Sequence, residues 1–175
     1  TSRLLKTMGP QKLVRLTLAD KPQILQLEAD GYPADEAADE AKVELRLSQA
    51  GDFFYGLFSD DDQAELIGFV NGTLMSSEKL THESMSSHEP LGSTLAIHSV
   101  CVARKHWRKG YGTQILQEYN ALVDATQPRV REVALVCKEG LIPFYERCDY
   151  ALVGPSDLEH GQDAWFEMRR TCRRA

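Results

Sequence analysis

Arg108-Lys109-Gly110-Tyr111-Gly112-Thr113 is the stretch that decides the architecture, because it joins a strand-like run to the most regular helical pattern in the chain. Before it, residues 94–102 alternate, with Leu95, Ile97, Val100 and Val102 at apolar positions. After it, Ile115, Leu116, Tyr119, Leu122 and Val123 recur at spacings that place them on one helical face. Two glycines in three positions let the main chain turn tightly and bring its amide hydrogens close to a ligand. Those amides stand at the positive end of the following helix, where a pyrophosphate is well received, and Arg108 and Lys109 add charge beside them. The stretch is neither a P-loop, which needs Gly-Lys-Ser or Gly-Lys-Thr, nor the Gly-x-Gly-x-x-Gly of a dinucleotide fold.

Outward from this turn the chain reads as alternating β and α segments. Residues 12–18 predict a first strand, and Asp20 with Pro22 opens a short helix that ends near Gly31. Residues 35–50 predict a second helix whose acids crowd its amino end. Residues 53–58 and 66–74 predict an antiparallel hairpin joined by Ser59-Asp60-Asp61-Asp62. Residues 75–92, rich in Ser, Glu and His, predict a loop with one helical turn, a natural place for a segment that covers a substrate. Residues 130–137 predict a buried strand, 139–147 a short helix with Pro143 in its first turns, and 150–153 and 164–168 two final strands. The order is β-α-α-β-β-β-α-β-α-β-β, and no repeat or linker interrupts it. The expectation is one domain over residues 1–175, a mixed α/β fold on a single central sheet.

Composition narrows the function classes. A chain of 175 residues with 42% apolar content can build a continuous core without disulfides or metal staples. No apolar run approaches the roughly 20 residues of a membrane span, and residues 1–13 lack the pattern of a secretory signal, so no membrane association is expected. Cys101, Cys137, Cys148 and Cys172 are widely spaced, which predicts reduced thiols in a cytoplasmic protein and no metal site. A formal charge of −6 argues against nucleic acid as a partner. Within that acidic total, Arg104, Lys105, Arg108 and Lys109 form one basic cluster suited to a small polyanion. The acids Glu28, Asp30, Asp35, Glu36, Asp39, Glu40 and Glu44 form an opposite stretch suited to a cation.

At the two glycines the sequence resembles the GNAT acetyltransferase superfamily, whose coenzyme-A-binding motif is Arg/Gln-x-x-Gly-x-Gly/Ala between the fourth strand and the third helix. More narrowly it is similar to the arylalkylamine (serotonin) N-acetyltransferase family. The stretches that carry this are Glu78-Lys79-Leu80-Thr81-His82-Glu83-Ser84, Ile97-His98-Ser99-Val100-Cys101-Val102, and above all Leu141-Ile142-Pro143-Phe144-Tyr145-Glu146-Arg147 with Val153-Gly154-Pro155 behind it. The resemblance implies a mostly antiparallel sheet of about seven strands flanked by about four helices. It also implies that acetyl-coenzyme A is the co-substrate. The pyrophosphate would lie on Arg108, Lys109, Gly110, Tyr111, Gly112 and Thr113, and the pantetheine arm along Val100, Cys101 and Val102. Tyr145 matches a tyrosine near the coenzyme sulfur, and His98 the second of two catalytic histidines. Ala96 stands where the first would be, which leaves His98 to act alone or with waters. The implied amine pocket comprises Tyr32, Pro33, Ile97, Val100, Val136 and Trp165.

The chemistry asks for such residues. A primary aliphatic amine with a pKa of about 10.4 is almost wholly protonated at neutral pH, so transfer needs a base, and imidazole is the side chain that serves near neutrality. A backbone amide near Val100 suits the oxyanion formed on attack, and the phenol of Tyr145 suits protonation of the departing sulfur. Direct attack needs no acyl-enzyme, which leaves Cys101 and Cys137 structural. The expected activity is acetyl transfer to a small arylalkylamine by a monomer. A polyamine, whose second cation would use the acidic stretch, is the alternative acceptor. A peptide acceptor and a non-catalytic acyl-coenzyme-A sensor are further readings.

Overall fold

The computed structural model describes residues 12–61 and 64–174. The reading of residues 1–11 and the place of Asp62 in the hairpin connection lie outside the described residues. Seven strands, β1 (Val14–Arg15), β2 (Phe54–Phe58), β3 (Leu66–Met75), β4 (Thr94–Val102), β5 (Glu132–Lys138), β6 (Ala151–Pro155) and β7 (Trp165–Thr171), form one sheet in the order β1-β2-β3-β4-β5-β7-β6. Five helices accompany them among the described residues: α1 (Lys21–Gly31), α2 (Glu40–Gln49), α3 (His82–Ser86), α4 (Tyr111–Thr126) and α5 (Ile142–Glu146). The sheet is mixed and mostly antiparallel, as expected; the fifth helix is the single turn foreseen in residues 75–92.

Several boundaries differ from the sequence reading, among them the last strand, which runs to Thr171 and not to 168. The first strand shrinks to Val14–Arg15 because Thr17 and Asp20 close a capping turn, with the Thr17 amide donating to the Asp20 carboxylate at 2.7 Å. The second helix starts at Glu40 because Asp39 caps it, its carboxylate accepting from the Lys42 amide at 2.9 Å. The residues before Asp39 are held in turns by Pro33, whose carbonyl accepts from both Glu36 and Ala37.

Helices cover both faces of the sheet. Ile24 and Leu27 of α1 and Val43 and Leu47 of α2 pack on Leu16, Phe54, Leu66 and Phe69. On the other face Ile115, Leu116, Tyr119 and Val123 of α4 pack on Leu57, Ile67, Val70, Leu95 and Val133. Every residue of β3 is buried, so this strand is the spine of the core. Buried polar ties then fix α4 to the turn between α5 and β6: Asn120 Nδ2 donates to the Cys148 carbonyl at 3.1 Å and the Tyr150 hydroxyl to Asn120 Oδ1 at 2.8 Å. All four cysteines are buried free thiols.

Candidate active site

β4 and β5 are parallel neighbours only where Thr94, Leu95 and Ala96 face Glu132, Val133 and Ala134. Beyond Ala96 the two strands part, and the backbone of β4 loses its partner on that side. On its other side the register with β3 jumps from Asn71 opposite Ser99 to Gly72 opposite Ile97, so His98 is the extra residue of a β-bulge. Two cavities open into this divergence. They meet at Gly31, Tyr32, Val100, Leu141 and Tyr145, which line both.

The first cavity, about 510 Å3, is lined by Val100, Cys101, Val102, Trp107, Arg108, Gly110, Tyr111, Gly112, Thr113, Phe144 and Tyr145. Gly110 caps α4 in the left-handed conformation, φ +85°. The first helical bond runs from the Gln114 amide to the Gly110 carbonyl at 3.1 Å, so the amides of Tyr111, Gly112 and Thr113 are free of helical partners at the mouth of the cavity. All but one of the expected cofactor residues line it. Lys109 is exposed and does not. Counting three residues back from Gly110 gives Trp107, so the leading Arg/Gln of the family motif is a tryptophan here, and Arg108 sits one place late. The Trp107 indole donates to the Val102 carbonyl at 2.7 Å, and the Tyr32 hydroxyl to the Val100 carbonyl at 3.2 Å. Two carbonyls of the strand edge thus already hold side-chain donors.

The second cavity, about 290 Å3, gathers all six residues expected around the amine: Tyr32, Pro33, Ile97, Val100, Val136 and Trp165. His98 is half-buried in its wall, with Nε2 at 2.7 Å from Thr73 Oγ1. Burial, with the charge of Arg46 second, holds its pKa well below that of an ordinary imidazole, so the ring is neutral at neutral pH. The tautomer that leaves a base is the one in which Nε2–H donates to Thr73 and Nδ1 keeps its lone pair. Ala96 is fully buried in an apolar cluster with Met75, Leu80 and Ala134 and lines neither cavity. Tyr145 is placed by its own backbone, whose carbonyl accepts from Cys148 and Tyr150, and by its ring against Phe144 and Tyr150. Burial raises its phenol pKa, so it stays protonated. Burial also pushes the Cys101 thiol up to about 12 and the Cys137 thiol up to about 11, which leaves neither as a ready nucleophile.

The same wall holds two buried charged residues that the sequence reading did not single out as site residues. Glu28 is 2% exposed and accepts from the Ser99 hydroxyl at 2.5 Å and the Ala38 amide at 3.1 Å. Arg46 is 9% exposed. Each lies on the buried stripe of its helix, Glu28 with Ile24 and Leu27, Arg46 with Val43 and Leu47, and that spacing is the signal that finds them. Across the mouth, Lys138 pairs with Glu36 at 2.9 Å and with Asp163 at 3.0 Å, tying the α1–α2 loop to the β6–β7 loop. Four more acids of the stretch are engaged elsewhere: Glu40 and Glu44 pair with Lys21, Asp39 caps α2, and Asp30 accepts from Gln26. No group able to hold a metal ion occurs among the described residues, and no described helix is long and apolar enough to cross a membrane.

Known proteins agree with this frame. A serotonin N-acetyltransferase of Mesocricetus auratus is 33% identical over 112 residues, which are 64% of this chain and 54% of that protein. The chain therefore spans about half the length of the curated relatives it matches. Among solved structures, a GNAT-like decarboxylase, GphF, in complex with isobutyryl-CoA aligns with a TM-score of 0.81 at 15% identity, covering 93% of this chain and 100% of that one. A GNAT superfamily phosphinothricin acetyltransferase from Sinorhizobium meliloti in complex with AcCoA aligns with a TM-score of 0.67 at 18% identity, covering 93% and 88%. At these identities the structures speak for the fold, and both neighbours carry coenzyme A thioesters. The profile of the Acetyltransferase (GNAT) family matches residues 21–150, most of the described sheet and the whole of the glycine turn, and the chain belongs to that family.

Proposed function

We propose that the chain transfers the acetyl group of acetyl-coenzyme A to the primary amine of a small arylalkylamine, by direct attack in a ternary complex, as a cytoplasmic monomer. The observation that carries this reading is the meeting of two cavities at Val100 and Tyr145, with the neutral His98 in the wall of one and the free amides of α4 at the mouth of the other. The names of the serotonin N-acetyltransferase relatives point the same way.

The first cavity fits the coenzyme, since Gly110 and Gly112 both line it and so bring bare main chain to its wall, and an added Cβ at Gly112 would come to 3.5 Å of Phe144 on that wall. Tyr111, Gly112 and Thr113 would hold the diphosphate by their amides, and Arg108 by its charge. When bound, acetyl-coenzyme A supplies an acetyl thioester. His98 accepts a proton from the acceptor ammonium through its free ring nitrogen, exposing the lone pair. Tyr145, protonated where both cavities meet, would give its proton to the sulfur as the carbon–sulfur bond breaks and take back the second proton that the attacking nitrogen sheds. The buried, weakly acidic thiols of Cys101 and Cys137 favour direct transfer over an acyl-enzyme.

The test is a panel of amines assayed for free thiol release, with phenethylamine, tryptamine and serotonin against spermidine and a peptide. Arylalkylamines are expected to lead by at least about tenfold in kcat/KM. Tight cofactor binding with no thiol release from any amine would instead make the protein a sensor. Tyr145→Phe is expected to lower kcat about tenfold with little change in the amine KM. This is less than the ~10²–10⁴-fold of a typical acid or base, because a thiolate departs with less help than an alkoxide. Equal kcat in the two proteins would remove Tyr145 from the proton path.

A further inference from the structure

We propose that the acceptor carries a carboxylate as well as its amine, and that Arg46 receives this carboxylate while His98 faces the amine. The inference rests on the acceptor reading of the second cavity given above.

Arg46 lines that cavity and is nine-tenths buried, yet its guanidinium has no ion pair and donates no hydrogen bond among the described residues. A guanidinium keeps its charge at any physiological pH, and burying it unpaired is costly. The other buried arginine shows how this protein otherwise handles that cost. Arg170, 5% exposed, makes a two-pronged pair with Asp124, Nη1 to Oδ1 at 3.0 Å and Nη2 to Oδ2 at 2.5 Å. Arg46 has no such partner. Glu28 and Asp39 act on it through space, but their carboxylates are engaged with Ser99 and Ala38 and with the Lys42 amide. The missing anion is therefore one that enters the cavity.

Other acceptor classes fit less well. A diamine would bring its second cation into a wall where the charges of Arg46, Lys42 and Lys138 outnumber the carboxylates of Glu28 and Glu36. An arylalkylamine without a carboxylate would dry the cavity around Arg46 and leave its guanidinium without a hydrogen-bond acceptor. An aromatic amino acid combines both demands, with a ring for the wall of Tyr32, Ile97 and Trp165, an amine for His98, and a planar carboxylate that matches the guanidinium fork.

The experiment compares pairs that differ by the carboxylate alone, L-phenylalanine with phenethylamine and L-tryptophan with tryptamine, by thiol release at saturating acetyl-coenzyme A. The expected result is a kcat/KM higher for the amino acid by at least about tenfold. That ratio should collapse towards one in Arg46→Gln and fall only in part in Arg46→Lys, which keeps the charge but loses the fork. Thermal melting checks the fold, and Arg46→Lys serves alone if Arg46→Gln does not fold. A wild-type preference for the decarboxylated amine, or a ratio unmoved by either variant, overturns the carboxylate site and leaves the transferase reading standing. If no amine is turned over the transferase reading fails, and calorimetry with N-acetylphenylalanine then decides. Binding weakened tenfold or more in the variant upholds the anion site, and equal binding overturns it.

Discussion

His98→Gln should lower kcat/KM for the amine by about a hundredfold at neutral pH, the low end of what a positioned base contributes. The position of the ring is set by the backbone, since the bulge that inserts His98 into β4 lies where β4 also loses β5. Glutamine keeps a polar side chain of similar reach and still bonds Thr73, so the loss reports the basic nitrogen and not the hydrogen bond. The deficit should depend on pH. An amine with a pKa of about 10.4 is mostly free base only above about pH 10, where a base has little left to do. The hundredfold gap should therefore narrow as pH rises towards the amine pKa. A gap of the same size at every pH would show that His98 only shapes the pocket.

The acid side follows from the same environment. Burial disfavours the imidazolium, and the positive Arg46 disfavours it further, while the bonded Thr73 hydroxyl is neutral. Both effects lower the pKa, so the neutral form persists below the usual value of about 6.5. The acid limb of kcat/KM in the wild-type protein should accordingly lie below that value and disappear in His98→Gln.

Much of this site was legible because its parts are local. Alternation in residues 94–102, the helical stripe from Ile115 to Val123 and the glycine pair between them each follow from spacing, and the structure forms β4, the turn and α4 in that order. The six residues expected around the amine were grouped by resemblance alone, as Tyr32, Pro33, Ile97, Val100, Val136 and Trp165 come from the segment after α1, from β4, β5 and β7, and share no motif, though they line one cavity. What escaped were the buried charges. Glu28 and Arg46 look like ordinary solvated residues until their spacing to Ile24 and Leu27, and to Val43 and Leu47, is given more weight than their charge. The acidic stretch misled for a related reason. Its sum of charge suggested a cation site, but capping and pairing with Lys21 and Lys138 depend on tertiary placement, which a charge count does not contain.

Gly110→Val should raise the KM for acetyl-coenzyme A by about tenfold to a hundredfold, with a much smaller change in kcat at saturation. Gly110 sits at φ +85°, ψ 4°, which an L residue enters at a cost of roughly 1–2 kcal/mol, and a β-branched one is least able to pay. An added side chain meets no protein atom within 4 Å, so the substitution does not overpack the core. It either tilts the turn, moving the amides of Tyr111, Gly112 and Thr113, or projects into the first cavity, and both act on the coenzyme. Gly154 in β6 separates this from general strain. It too has positive φ, +152°, with nothing within 4 Å of an added Cβ, but it lines neither cavity. Gly154→Val should lower the melting temperature without moving the KM. A normal KM in Gly110→Val, with the protein folded, would mean that the diphosphate is not held by this turn. The free amides of α4 would then need another explanation, and the route from the glycine pair to the reaction would be lost, because Tyr145 and His98 have a thioester to work on only if the coenzyme is anchored where the two cavities meet.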